Sequence, residues 1–290
     1  MIESRYVYPQ LPCKIEFGIR FMGAGLANCL FVYARALLLA EQYGLPLINP
    51  AWVQFNLGPY LRNEKDKRHY NGLFKPFGVS GWAKYWLLLT RKKYVETTIP
   101  THFKTGILQV QGLVNYFGDL HFKSDKVRNH LLSIVNPQAV IQYNQLTYDF
   151  IGVHIRLGDY AADSRTDLDW YIEKMTLIRE QYDPELPFLI FSDGSPEQLK
   201  PVLDFPTATM AFFGSAIADI LLLSKARLIL ASDSTFSAWA AYLGQVPIVF
   251  NKRHFGPVLD NPEQEWVQQT AGPAMTNDAI TAILRNRDIN

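Results

Sequence analysis

The residues of this 290-residue chain that could do chemistry sit where short apolar runs end. Arg156 follows the apolar run Phe150 to Ile155 directly. A guanidinium at the end of a buried strand can fork onto a phosphate, or pair with Asp159 on the surface. Ser234 and Thr235 follow the run Leu228 to Ala231 and open a helical pattern. Free backbone amides and hydroxyls there favour an anion, and ordinary capping asks for the same residues. His154 alternates with Val153 and Ile155, so an inward core histidine and a ligand-facing one both fit. Asp219 stands in the first turn of a helical pattern, where a carboxylate complements the helix dipole. Asp163, seven residues beyond Arg156, is the one candidate for a general base, and a solvated loop aspartate is the plainer reading.

These residues must be positioned by the elements around them. The second half alternates short apolar strands with helices: strand Phe150 to Ile155, helix Leu168 to Gln181, strand Phe188 to Phe191 and helix Pro196 to Leu203. Strand Thr209 to Phe213, helix Ala216 to Lys225, strand Leu228 to Ala231, helix Thr235 to Leu243 and strand Pro247 to Phe250 follow. This order predicts a parallel sheet with helices on both faces, and ligands in such sheets bind beyond the carboxyl ends of the strands. Arg156, Ser192, Asp193, Asp233, Ser234 and Thr235 are therefore expected along one rim. The first half is less regular. An extended segment from Lys14 to Arg20, the turn Gly23-Ala24-Gly25, a helix from Leu26 to Tyr43 ended by Gly44, and a strand from Leu45 to Ile48 form one unit. Residues 50–105 read as loops and short helices, followed by a strand from Ile107 to Leu113 and a helix from Phe122 to Ser133. The expected fold class is α/β with two domains, 1–147 and 148–290.

Composition narrows the function. With 48% hydrophobic and 19% charged residues the chain can bury a core, which excludes disorder. A net charge of +1 argues against a nucleic-acid partner. Cys13 and Cys29 have neither metal-ligand nor disulfide-framework spacing, and no run approaches about 18 apolar residues, so a cytoplasmic protein without a membrane span or signal peptide is expected. The turn Gly23-Ala24-Gly25 invites a dinucleotide-binding reading. It lacks the third glycine, where Asn28 stands, and Asn49 and Pro50 occupy the place of the expected acid. Asp167-Leu168-Asp169 imitates a metal-binding Asp-x-Asp but opens a helix, so no metal is expected.

Three stretches resemble one family. Residues 22–35, Met-Gly-Ala-Gly-Leu-Ala-Asn-Cys-Leu-Phe-Val-Tyr-Ala-Arg, are similar to the Gly-Leu-Gly-Asn-Gln-Leu-Phe-Gln-Tyr-Ala signature of the bacterial-type alpha-1,2-fucosyltransferases. Residues 153–160, Val-His-Ile-Arg-Leu-Gly-Asp-Tyr, resemble its His-x-Arg-Arg-Gly-Asp motif, and residues 219–243 its Asp-x-x-x-(Leu/Met)-Ser and Asn-Ser-Thr-Phe-Ser-Trp-Trp segments. The resemblance covers most of residues 15–255. The chain departs from the pattern at Leu157 for the second Arg, Ala27 for Gly, Cys29 for Gln and Asp233 for Asn.

The resemblance implies two Rossmann-like domains facing across a cleft, the GT-B arrangement, with the acceptor on the N-terminal side and the GDP-sugar on the C-terminal domain. It implies an inverting, metal-independent transferase that moves L-fucose from GDP-fucose to an oligosaccharide or polysaccharide hydroxyl in alpha-1,2 linkage. A transferase for another GDP-sugar, or a non-catalytic GDP-sugar or glycan-binding protein on the same scaffold, is the alternative. By the same resemblance Arg156 contacts the leaving beta-phosphate and Asp159 orients it. His154 lies against guanine or ribose, Asp219 accepts from guanine, Ser234, Thr235 and Phe236 hold the diphosphate, and Gly23, Gly25 and Asn28 belong to the N-terminal part of the site. Finally, Trp82, Trp86 and Leu87 to Leu89 with Arg91, Lys92 and Lys93 read either as a short interfacial helix or as a core helix with a basic end. The first reading adds peripheral contact with the inner face of a bacterial membrane.

Overall fold

The computed structural model describes residues 5–61, 66–95, 105–158, 165–268 and residue 284. The chain forms two compact units, residues 1–120 with 130–136, and residues 121–129 with 137–290.

The first unit is built on a parallel sheet in which β6 (Gly106–Val110) lies between β1 (Arg5–Pro9) and β5 (Lys93–Val95). Strand β1 was not expected from a segment that reads as charges and prolines. Its alternating Tyr6, Val7 and Tyr8 favour a strand, and the buried Val7 and Tyr8 decide the matter against polar neighbours. The segment expected as a strand from Leu45 to Ile48 makes only single bridges, Val7 with Leu47 and Ile48 with Val79. The extended Lys14 to Arg20 segment is a hairpin of β2 (Ile15–Phe17) and β3 (Ile19–Phe21), reversing at Gly18, whose φ of +71° suits glycine. Helix α1 (Leu26–Gln42) ends one residue short of expectation, with Gly44 at a φ of +59° beyond it. Short β4 (Gln54–Phe55) pairs with β3, and α2 (Gly58–Leu61) and α3 (Gly81–Thr90) follow.

Arg20 is fully buried at the centre of this unit. It donates from Nε to the carbonyl of Ala51 (2.7 Å), from Nη2 to that of Trp52 (3.0 Å), and from Nη1 to that of Pro12 and to Cys29 Sγ (both 3.2 Å). Burial pushes the Cys29 thiol up to about 11, against the pull of Arg20, so it remains a neutral acceptor.

In the second unit α5 (Pro137–Gln145) precedes an all-parallel sheet of six strands. Helix α4 (Ser124–Ile134) has residues in both units. The strands are β7 (Ile151–Ile155), β8 (Phe188–Ser192), β9 (Ala208–Ala211), β10 (Leu228–Ala231), β11 (Ile248–Phe250) and β12 (Glu265–Val267), in spatial order β12-β11-β10-β7-β8-β9. The chain runs outward from β7 to β9, returns to the other side of β7 at β10, and runs outward again. This is the doubly wound order, with its switch point between β7 and β10. Helices α6 (Leu168–Gln181) and α7 (Lys200–Leu203) belong to the first run, and α8 (Ala216–Leu223) and α9 (Thr235–Gly244) to the second.

The period of two along β7 sorts its side chains between two layers. Ile151, Val153 and Ile155 pack with Trp170, Tyr171, Met175 and Ile178 of α6 and with Leu199 and Val202. Gly152 faces α8, where a Cβ would fall 2.2 Å from Leu223 Cδ1, and His154 faces the same way toward α9.

Candidate active site at the rim of the parallel sheet

The switch point places the ends of β7 and β10 side by side, and each is followed by polar residues. Ile155 of β7 pairs with Ser192 of β8, so Arg156 and Asp193 leave neighbouring strands at one level. Arg156 Nη1 lies 2.9 Å from Asp193 Oδ2. The other carboxylate oxygen, Oδ1, accepts from the amides of Leu157 (2.8 Å) and Gly158 (3.1 Å). A Cβ on Gly158 would stand 2.5 Å from Asp193 Oδ2, so the glycine of this motif is required by the approach of the carboxylate. Leu157, at the position of the family's second Arg, turns into the core cluster with Trp170 and Leu199. Among the described residues, Asp193 is thus a carboxylate that holds Arg156. Asp159 and Asp163 lie outside the described residues.

His154 is buried, and its ring stacks on Phe236 with centroids 4.9 Å apart and planes 14° from parallel. Its Nδ1 lies 3.2 Å from Ser232 Oγ, and its carbonyl accepts from the Tyr171 hydroxyl (3.2 Å) and the Ser232 amide (3.0 Å). Burial pushes the imidazole down to about 3, the nearby Arg156 adds to this, and Asp193 opposes it. His154 is therefore neutral at physiological pH and serves as an uncharged spacer between Phe236 and Ser232. Ser234 is the N-cap of α9, its Oγ accepting from the Phe236 amide (3.2 Å), and Thr235 and Phe236 stand half-buried in the first turn.

A second carboxylate contact lies past the ends of β10 and β11. Asp233, after β10, holds His254, after β11: Oδ1 accepts from the His254 amide (3.1 Å) and lies 2.6 Å from its Nδ1. The adjacent Arg253 pairs with Glu265, whose Oε2 accepts from the amides of Val258 (2.8 Å) and Leu259 (3.1 Å). Sequence reasoning left His254 and Arg253 unassigned. Basic residues just past β11 were the available signal, since they follow a strand end as Arg156 does.

Asp219 stands half-buried in the first turn of α8, and Ser215 caps that helix by accepting from the Ala218 amide (3.3 Å). Asp219 Oδ1 accepts from the Phe213 amide (2.8 Å) and folds the loop after β9 onto the helix. A carboxylate oxygen accepts more than one hydrogen bond, so this contact is compatible with a ligand's donors. Asp167 stands at the N-cap of α6 but makes no capping bond with its side chain.

His154, Arg156, Ser234, Thr235 and Phe236 thus meet at the switch point of the second unit. Gly23, Gly25 and Asn28 belong to the first unit, at the start of α1. At Gly23 a Cβ would fall 2.1 Å from Gln54 Oε1 and 2.9 Å from Arg20 Nη1, so a larger residue here would have to displace these two side chains. Among the described residues no group of three or more His, Cys, Asp or Glu side chains is arranged to hold a metal ion. What the rim offers is a fixed guanidinium, a capped helix N-terminus and a neutral aromatic stack, a set suited to a diphosphate and a ring.

Comparison with known proteins agrees with the motifs at residues 153–160 and 219–243. The model of glycosyl transferase family 11 matches residues 55–250, more than half of the chain. No curated protein matches the chain in sequence. Among solved structures it is similar to fucosyltransferase NodZ from Bradyrhizobium, at 14% identity and a TM-score of 0.48 over 85% of this chain and 95% of that one. A point mutant of FUT1 from Arabidopsis thaliana in complex with GDP aligns at 15% identity and a TM-score of 0.46, over 87% of this chain and 71% of that one. The E. coli heptosyltransferase WaaC aligns at 12% identity and a TM-score of 0.47, over 98% and 99%. On the extent of the family match, the chain belongs to glycosyl transferase family 11.

Proposed function

We propose that the chain is an inverting fucosyltransferase that moves L-fucose from GDP-fucose to a hydroxyl of an oligosaccharide or polysaccharide, in alpha-1,2 linkage and without a metal. The observation that carries this reading is Arg156, held by Asp193 beside the capped N-terminus of α9 at the sheet's switch point. A sugar leaving a nucleoside diphosphate puts negative charge on the beta-phosphate as the glycosidic bond breaks. A guanidinium already oriented there stabilises that charge with little reorganisation. The diphosphate is taken by Arg156 and the amides and hydroxyls of Ser234, Thr235 and Phe236, and the guanine edge, with two adjacent donors, by the Asp219 carboxylate. NodZ soaked with GDP-fucose and FUT1 in complex with GDP give the donor class its precedent. The acceptor hydroxyl attacks the anomeric carbon opposite GDP, and Asp163 is the candidate to take its proton.

The test is a transfer assay with GDP-fucose and GDP-mannose across a panel of oligosaccharides, with linkage and anomer read by NMR. Product from GDP-fucose with inverted anomeric configuration supports the reading; product from GDP-mannose alone replaces the donor. Leu157, core-facing where the family has its second Arg, favours one rival: a GDP-sugar or glycan-binding protein without turnover. Calorimetric binding of GDP with no transfer to any acceptor would establish it.

A further inference from the structure

Helix α3 has an inverted face. Its lysine, Lys84, is 5% exposed, with Nζ over the Tyr8 ring, and Leu87 packs with Tyr8, Ile48 and Ile107. Its tryptophans are in water: Trp82 is 90% exposed, Trp86 69% and Leu89 85%. These three positions, spaced four and three apart, form one stripe on the side of the helix away from Lys84 and Leu87. The tip of the β2–β3 hairpin stands against the same helix, since a Cβ on Gly18 would lie 3.1 Å from Tyr85 Oη, and the adjacent Phe17 is 89% exposed. A core helix with a basic end does not describe this element.

Charge selects the occupant of the face. From residue 67 to residue 95 the chain has no Asp or Glu and seven Lys or Arg, in a protein whose net charge is +1. Arg91, Lys92 and Lys93 are exposed immediately after the stripe. Protruding indoles with a basic flank suit an interface that is apolar within, polar at its surface and negative overall. We propose that α3 and the tip of the β2–β3 hairpin form a docking face for an anionic lipid bilayer. Trp82, Trp86, Leu89 and Phe17 enter the headgroup region while Arg91, Lys92 and Lys93 meet its charge.

The experiment is flotation of the full chain with phosphatidylcholine vesicles carrying about a quarter phosphatidylglycerol, beside pure phosphatidylcholine. Trp82→Ala/Trp86→Ala and Arg91→Gln/Lys92→Gln/Lys93→Gln are compared with wild type, with folding checked by thermal melt and mass in solution by light scattering. The substituted side chains are exposed, so the melts are expected to be unchanged. Wild type should float with the anionic vesicles and each variant should partition on the order of tenfold less or worse. Wild type left at the bottom of the gradient, or variants that float as it does, would overturn the proposal. So would a dimer that the tryptophan variant makes monomeric without any vesicle binding, since the face would then pair with a second copy of the chain.

Discussion

Arg156 and Asp193 are joined twice over: Nη1 of the guanidinium meets Oδ2 at 2.9 Å, while Oδ1 of the same carboxylate holds the amides of Leu157 and Gly158. One aspartate thereby fixes both the side chain and the loop that carries it. If Arg156 stabilises the leaving diphosphate, its loss lowers turnover more than affinity. Arg156→Ala should cost on the order of a hundred- to a thousand-fold in rate. Arg156→Lys, which keeps charge without the two-pronged geometry, should also be severely impaired. Asp193→Ala should lower turnover by misplacing Arg156, and the double variant should be little worse than Arg156→Ala alone, because the two act as one unit. Transfer kinetics on variants with normal melts decide this. An Arg156→Ala enzyme that keeps more than about a tenth of wild-type turnover would remove the residue from its role.

Guanine selectivity is expected of Asp219, an acceptor-only group beside the loop after β9. GDP should raise the melting temperature well above UDP or ADP at equal concentration. Asp219→Ala should erase the preference, and its own melt will fall because the Phe213 amide loses its partner. The comparison among nucleotides within the variant is therefore the readout, and equal shifts from all three in wild type would refute the assignment.

The buried imidazole of His154 predicts acid lability. Its folded-state value near 3 lies below the ordinary value of 6.5, so the unfolded chain binds the extra proton first as pH falls. Its contribution to stability is complete above about pH 6.5 and is lost progressively as pH falls toward 3. Urea unfolding at pH 7 and pH 5 should show a drop for wild type that is smaller in His154→Gln. An equal drop in both proteins would mean that the ring titrates normally.

Catalysis should be indifferent to divalent ions, since Arg156 and the α9 amides are available to neutralise the diphosphate. Full activity in EDTA is the expected result. Loss that manganese or magnesium restores would refute this account.

The apolar strands and the helices between them were legible in the chain because their periods are local. Short apolar runs separated by helical patterns mark β7 to β11 with bounds close to those observed. The rule that ligands sit past strand ends then named Arg156, Asp193, Asp233 and Ser234 without any partner being known. Short β1 escaped because the three residues between Arg5 and Pro9 show too little pattern, and its strand character comes from burial against β6 and α1.

Which residues meet was decided by the tertiary structure alone. Asp193 reaches Arg156 because β8 lies beside β7 in register, 37 residues away in the chain, and Asp233 meets His254 because β11 lies beside β10. The same holds for Leu157, whose side chain goes to the core, and for α3, whose lysine is covered while its tryptophans face water. A side chain's type and spacing determine what it can do. Its partner depends on strand adjacency and helix rotation, which are set by the packing of segments far apart in sequence and leave no local mark.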